Sequence, residues 1–263
     1  MIDIQELYED SVQDSEGEVY FLSTTYKSLR KKKAITLRED FCGTFFNSME
    51  WVRSASERKS IAVDRDPRVL RSGKKRHLSV LTPEQLKRIS LQCHDVTTVK
   101  TDRADILATL NFSICYFHSR QALLAYLRNV YKSLTKTGVA FVDLLGGTEV
   151  ENELDERRPV MSKKYGKFYY IWEQKGFDPV TRKIHFAIHF ELKNKRRIKN
   201  AFTYDWRLWT VPEIVEAMEE VGFKEVKIYW EGNDAKGDGS GIFKQVKKAE
   251  NCEVWVAYAV GLK

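Results

Sequence analysis

Three acidic residues stand where short apolar runs end. The first run, Ala34 to Leu37, gives way to Arg38-Glu39-Asp40, Phe41 and Cys42-Gly43-Thr44. The second, Ile61-Ala62-Val63, ends at Asp64, and Asp95 closes Cys93-His94-Asp95-Val96. Apolar runs of this length, bounded by turn residues, predict buried strands. In an open parallel sheet, ligands bind beyond the carboxyl ends of the strands. Gly43 lets the backbone turn without a Cβ, so a ligand can come close. A carboxylate there repels phosphate and attracts a cation or sugar hydroxyls. At the end of the second run it can accept two hydrogen bonds from a ribose diol. The glycine-rich dinucleotide pattern is missing, since Phe41 and Phe45 stand where glycines would be. The three acids suit a nucleoside that is positively charged and carries no phosphate.

Alternating strands and helices are needed to position these groups. Residues 1–33 read as an N-terminal extension, helical near Val19 to Leu29, with Tyr8, Tyr20 and Tyr26 as packing or lid residues. After the first strand, Phe45, Met49 and Val52 fall at helical spacing. Asp66-Pro67 supplies an N-cap and a first-turn proline for the next helix. Thr82-Pro83-Glu84-Gln85 starts another with a capping box. Ile89 to Val96 reads as a third strand, and Ala104 to Leu110 as a fourth, apolar enough to be buried on both faces. A long helix begins at Ser119 and is closed by Gly138, and Val139 to Leu145 is a fifth strand. Thr210 to Val221 is a capped helix, followed by strands over Lys224 to Trp230 and Glu253 to Val260. This order predicts an α/β fold with a doubly wound, mostly parallel seven-stranded sheet.

The pattern changes after Gly147. Residues 149–158 are strongly charged and read as an exposed helix or loop. Ile184, Phe186, Ile188 and Phe190 then alternate, while Asp178-Pro179 and Asn194 mark turns. Three antiparallel strands are predicted. His185 and His189 fall on their outer face, without the spacing of metal ligands. The expected organisation is an extension over 1–33, a ligand-binding core over 34–147, an antiparallel β insertion over 148–209 and the remaining core over 210–263. The stretch GNDAKGDGSG (232–241) reads as a hairpin loop.

The totals fit this plan. A chain of 263 residues, 43% apolar, can bury a substantial core. No run of about 18 apolar residues predicts a membrane span, and the acidic N-terminus lacks an export signal's apolar core. Cys42, Cys93, Cys115 and Cys252 form no CxxC pair, which fits reduced thiols in a cytoplasm and no metal site. The net charge of +7 favours nucleic acid or an acidic partner. The basic residues, however, form short clusters such as Lys31-Lys32-Lys33 and Lys195-Arg196-Arg197, each beside an apolar run. They read as solvated turns rather than a nucleic-acid track.

Taken in order, the segments resemble the motifs of class I S-adenosylmethionine-dependent methyltransferases. The first strand with EDFCGT resembles the first motif, IAVDRDP the second, CHDV the third and DILATLNFS the fourth. LTKTGVAFVDLLGG looks like the fifth-strand segment, and PEIVEAMEEVGFKEVKIYW like the C-terminal helix and strand. The likeness covers residues 34–147 and 210–263. LREDFCGT together with DWRLWT is similar to a small bacterial-type subgroup.

The resemblance implies S-adenosylmethionine as cofactor. It places Glu39 near the methionine amino group, or Asp40, since the register is open by one residue. Arg38, Cys42 and Thr44 join Gly43 in the same cofactor loop. Asp64 would meet the ribose with Arg65 beside it, and Asp95 and Val96 the adenine. Leu110, Asn111 and Phe112 would line the methyl-donor pocket. The implied reaction is in-line methyl transfer to a small-molecule acceptor. The alternative is an RNA- or protein-directed methyltransferase, or a cofactor-binding module without activity. Phe45 would crowd the cofactor if it pointed into the pocket; otherwise it is the first core residue of the next helix.

Acceptor-side residues are expected from the extension and the insertion: Tyr20, Tyr26, Tyr116, Tyr165, Tyr204, Trp206 and Arg207. Tyr116, His118 and Arg207 are the candidates for catalysis. Arg207 could grip a carboxylate, or stack on Trp206 or Trp209 with Asp205 as partner. His118 could act as a general base, or be a polar residue near a helix start. Cys42 reads as a loop residue packed against the cofactor.

Overall fold

The computed structural model describes residues 2–234 and 239–263. Two helices come first, α1 (Ile4–Val12) and α2 (Ser15–Arg30), each with an aspartate cap: Asp3 accepts from Gln5 N and Asp14 from Gly17 N. Then follow β1 (Thr36–Asp40), α3 (Phe46–Ser54), β2 (Lys59–Asp64), α4 (Pro67–His77), α5 (Pro83–Leu86) and β3 (Ile89–Cys93). Next are β4 (Ala104–Thr109), α6 (Arg120–Ser133) and β5 (Leu134–Gly146). β6 (Leu154–Ser162), β7 (Gly166–Asp178), β8 (Lys183–Glu191) and β9 (Arg197–Arg207) form the middle of the chain. It closes with α7 (Val211–Glu220), β10 (Glu225–Asn233), β11 (Gly239–Val246) and β12 (Trp255–Leu262).

The main sheet runs β11-β10-β12-β5-β4-β1-β2-β3. β1 to β5 pair in parallel, while β12 is antiparallel to both β5 and β10. This is the doubly wound sheet the sequence predicts, with helices on both faces and an eighth strand, β11, at one edge. β11 gives no apolar alternation because most of it is exposed, so the sequence hides it. Of the stretch read as a hairpin loop, residues 235–238 lie outside the described residues, and the flanking residues belong to β10 and β11.

The second sheet, β6-β7-β8-β9, has four antiparallel strands where three are expected. Residues 154–158, read as a charged helix or loop, are the start of β6. As an edge strand, β6 tolerates Pro159 and a row of exposed charges. His185 is exposed, but His189 is buried, its Nδ1 accepting from Asn200 N at 2.8 Å where the β8–β9 register shifts. Gly138 does not close α6, which ends at Ser133; it lies inside β5.

Two apolar layers hold the main sheet. On one face Leu123, Leu127 and Val130 of α6 and Ile214 of α7 pack against Leu107 and Val142, continuous with Phe186 and Trp206 of the second sheet. On the other, Val19, Leu22 and Tyr26 of α2 and Trp51 of α3 pack against Leu37, Ile106 and Phe141. Helix α1 instead buries Leu7 among Phe168, Tyr170 and Phe190 of the second sheet. Burying a leucine fully contributes about 1.5–3 kcal/mol. Arg76 of α4 also grips α1, donating to Asp3 Oδ2 and Glu9 Oε1, each at 2.6 Å.

Candidate functional site

Beyond the ends of β1 to β4 lies a cleft of about 570 Å³. The loop after β1 shapes its floor. Phe41, Gly43 and Phe45 all take left-handed backbone, with φ of 55°, 53° and 54°. For a non-glycine residue that costs about 1–2 kcal/mol, and packing offsets it. Phe41 meets Tyr116 and Phe117 at the cleft wall. Phe45 is fully buried with Met49, Val52 and Leu70, under the loop and away from the cleft. A Cβ on Gly43 would find only Val69 Cγ1, at 3.8 Å, so the space above it is open.

Asp64 and Asp95 both line the cleft. Asp64 Oδ2 accepts from Gly43 N at 2.9 Å and Oδ1 from Asp66 N at 2.8 Å, which fixes the loop to the tip of β2. Each carboxylate oxygen keeps a further lone pair for a ligand. Asp95 accepts from Thr97 N and Thr97 Oγ1 at 2.7 and 2.6 Å, and these bonds hold its carboxyl below the usual range. Arg65, Val96, Cys42, Thr44, Tyr116 and His118 share the lining. Burial and the neighbouring carboxylates push the Cys42 thiol well up, so it stays protonated and is no nucleophile.

Side-chain alternation along β1 separates the residues grouped with Gly43. Arg38 and Asp40 face α6, away from the cleft. Arg38 Nε and Nη2 donate to the two Asp40 oxygens at 2.7 and 3.1 Å, and both side chains are wholly buried. They are an internal ion pair and line neither cavity. Glu39 faces α3 and accepts from Asn47 Nδ2, Ser48 N and Ser48 Oγ at 3.1, 2.9 and 2.6 Å. Of these partners, Asn47 lines the space beside the cleft and Ser48 lines neither cavity.

Beside the cleft lies a chamber of about 290 Å³. Tyr8, Gln13, Asn111 and Tyr204 line both spaces and form the neck between them. Asn111 and Phe112, at the end of β4, are again left-handed, with φ of 56° each. Asp143 of β5 holds that turn by accepting from Phe112 N at 2.9 Å. Leu110 and Phe112 line the chamber, not the cleft. Strained residues thus gather at the ends of β1 and β4, where functional sites concentrate strain.

The other named residues divide. Tyr204 and Trp206 line the chamber. Tyr20 is 70% exposed and Tyr26 is sealed in the core, so neither reaches the site. Tyr165 serves α1, donating to Glu6 Oε2 and accepting from Asp3 N. His118 Nε2 donates to the Asp205 carbonyl at 2.7 Å. Arg207 lines neither space. It lies over the Trp209 ring at 3.7 Å and pairs with Glu213 at 3.1 Å, so its partner is Glu213 rather than Asp205. Gln5, Gln13, Glu18 and Asp143 are lining residues that sequence reasoning misses. Only Asp143 leaves a trace, as a lone acid inside the apolar run VAFVDLL.

No family model and no curated protein matches the chain. Solved structures do. An S-adenosylmethionine-dependent methyltransferase from Clostridium acetobutylicum superposes with a TM-score of 0.70 at 16% identity, over 98% of this chain and 97% of the other. CalS10, an amino pentose methyltransferase from Micromonospora echinaspora, gives 0.70 at 14% over the same shares. The sugar N-methyltransferase KedS8 from Streptoalloteichus gives 0.67 at 13%, over 100% and 93%. At such identities the likeness is one of fold, and by it the chain has the Rossmann-like fold of S-adenosylmethionine-dependent methyltransferases.

Proposed function

We propose that the protein is a methyltransferase that uses S-adenosylmethionine on a small-molecule acceptor. The observation that carries this reading is the pairing of an open cleft, edged by Asp64 and Asp95, with a second chamber through one neck. The residues fit the cofactor. Phe45 is turned into the core, Gly43 leaves its approach free, and the strand-end acids suit a cationic nucleoside. Asp64 would hold the ribose diol, Asp95 and Val96 the adenine edge, and Asn111 would stand at the neck. When bound, the sulfonium supplies an electrophilic methyl carbon. The chain's part is to align an acceptor with it at the neck and to exclude water. Solved neighbours named as amino pentose and sugar N-methyltransferases support a small acceptor. Among the described residues the chamber lining includes no Lys or Arg, which does not suit a phosphate backbone.

Calorimetry with S-adenosylhomocysteine tests the reading. The wild type is expected to bind it, and Asp64→Ala to weaken binding by about 1.5–3 kcal/mol, the range for hydrogen bonds to a charged group. Unchanged affinity in the variant would remove the ribose assignment. No binding by the wild type would remove the function.

A further inference from the structure

In a protein of net charge +7, the charged residues described in the chamber wall are all acidic. Glu18, Asp143, Asp14 and Glu231 line it, and among the described residues no Lys, Arg or His does. Glu18 Oε1 and Oε2 accept from Tyr258 OH at 2.8 and 2.9 Å. Tyr258 is the register partner of Asp143 on β5, so one hydroxyl-bearing ring links helix α2, which carries Glu18, to the strand of Asp143. Burying carboxylates with no cation between them is unfavourable. Burial pushes Glu18 up to about 7, and burial together with Glu18 drives Asp143 well above its ordinary range.

Aromatic rings complete the wall. Trp172, Tyr204 and Trp206 meet one another at tilted angles, and Phe243 and Tyr258 pack edge to face. Such faces attract cations when water is excluded. The Trp206 indole is 2% exposed. It leans toward the Tyr116 hydroxyl, yet its N–H has no hydrogen-bond partner. The N–H is sealed behind the ring, which presents its face to the chamber.

We infer that the chamber is an amine site: Glu18 and Asp143 receive a primary or secondary ammonium group of a small molecule, which lies against the Tyr204 and Trp206 rings. This rests on the methyltransferase reading and names its acceptor class. Glu18 is the group placed to free the nucleophile. One N–H bond of the ammonium breaks, the proton passes to a Glu18 oxygen, and the electron pair stays on nitrogen. The neutral amine then points its lone pair toward the neck at Asn111 and Tyr8.

The test uses the full chain saturated with S-adenosylhomocysteine. Binding is measured by calorimetry for a matched series: 2-aminocyclohexanol, cyclohexylamine, cyclohexane-1,2-diol and 2-hydroxycyclohexanecarboxylate, extended with larger amino alcohols. The amino alcohols are expected to bind more tightly than diol or acid, by about tenfold or more. Glu18→Gln, which removes a buried charge and so should fold, is expected to erase that preference. It should keep S-adenosylhomocysteine affinity within about threefold, since each unperturbed polar contact stays in place. Equal binding of diol or acid, or no preference for any amine, overturns the inference. So does a Glu18→Gln variant that loses S-adenosylhomocysteine, because Glu18 would then serve the cofactor's own ammonium. Failure of the wild type to bind S-adenosylhomocysteine sinks the methyltransferase reading instead, so the two failures are distinct.

Discussion

Asp40→Ala separates a structural acid from a ligand-binding one. In the fold, Asp40 neutralises a guanidinium with no access to solvent. Arg38 also donates to Ser133 Oγ at 2.8 Å and Thr101 Oγ1 at 3.2 Å, but neither partner carries charge. Removing Asp40 leaves a buried cation, and breaking such a pair costs about 3–5 kcal/mol. Tyr126 also loses a 3.0 Å bond to Asp40, though its contact with Thr109 at 2.6 Å remains. Typical stabilities are about 5–15 kcal/mol, so the variant sits near the edge of folding. With a urea slope of about 3 kcal/mol/M, the midpoint should fall by roughly 1–1.7 M. The double variant Arg38→Met/Asp40→Leu buries no charge and should recover most of the loss. Urea unfolding followed by fluorescence reads both, and calorimetry with S-adenosylhomocysteine on the folded fraction should give wild-type affinity. An Asp40→Ala protein of unchanged stability that no longer binds S-adenosylhomocysteine would refute the reasoning and return Asp40 to the cofactor.

Burial pushes Glu39 up to about 7, against the bonds from Ser48 and Asn47. It binds its proton more tightly folded than unfolded, so its contribution to stability falls as pH rises from its ordinary 4.5 to about 7, then stays level. Glu39→Gln should flatten the urea-stability profile in that window; an unaltered slope counts against the shift. Arg207→Ala should cost about 1–2 kcal/mol through the lost Trp209 and Glu213 contacts and leave S-adenosylhomocysteine affinity alone. A large loss of that affinity would place Arg207 in the cofactor site. Phe45→Ala should lose about 3–5 kcal/mol of stability, as for a large core deletion, again with cofactor affinity retained. A stable variant that binds S-adenosylhomocysteine more tightly would show the ring intruding on the cleft.

What the chain states locally is read well from sequence. Caps at Asp66, Thr82 and Thr210 and the apolar runs ending at Asp64 and Asp95 depend on neighbours within a few residues. Their order brings those acids to one cleft because parallel β-α units present successive strand ends on the same side. The choice between Glu39 and Asp40 is open to a one-residue shift in the sequence, since adjacent strand residues face opposite ways and only packing against α3 or α6 assigns the faces. The strands β6 and β11 escape notice because edge strands owe their shape to pairing rather than to an apolar alternation. The chamber belongs to tertiary structure altogether. Glu18 and Tyr258 are 240 residues apart in the chain, and Asp143, Trp206 and Tyr8 come from three other elements. No local pattern encodes a wall assembled from such distant side chains; it exists only once α1, α2 and the second sheet close over the main one.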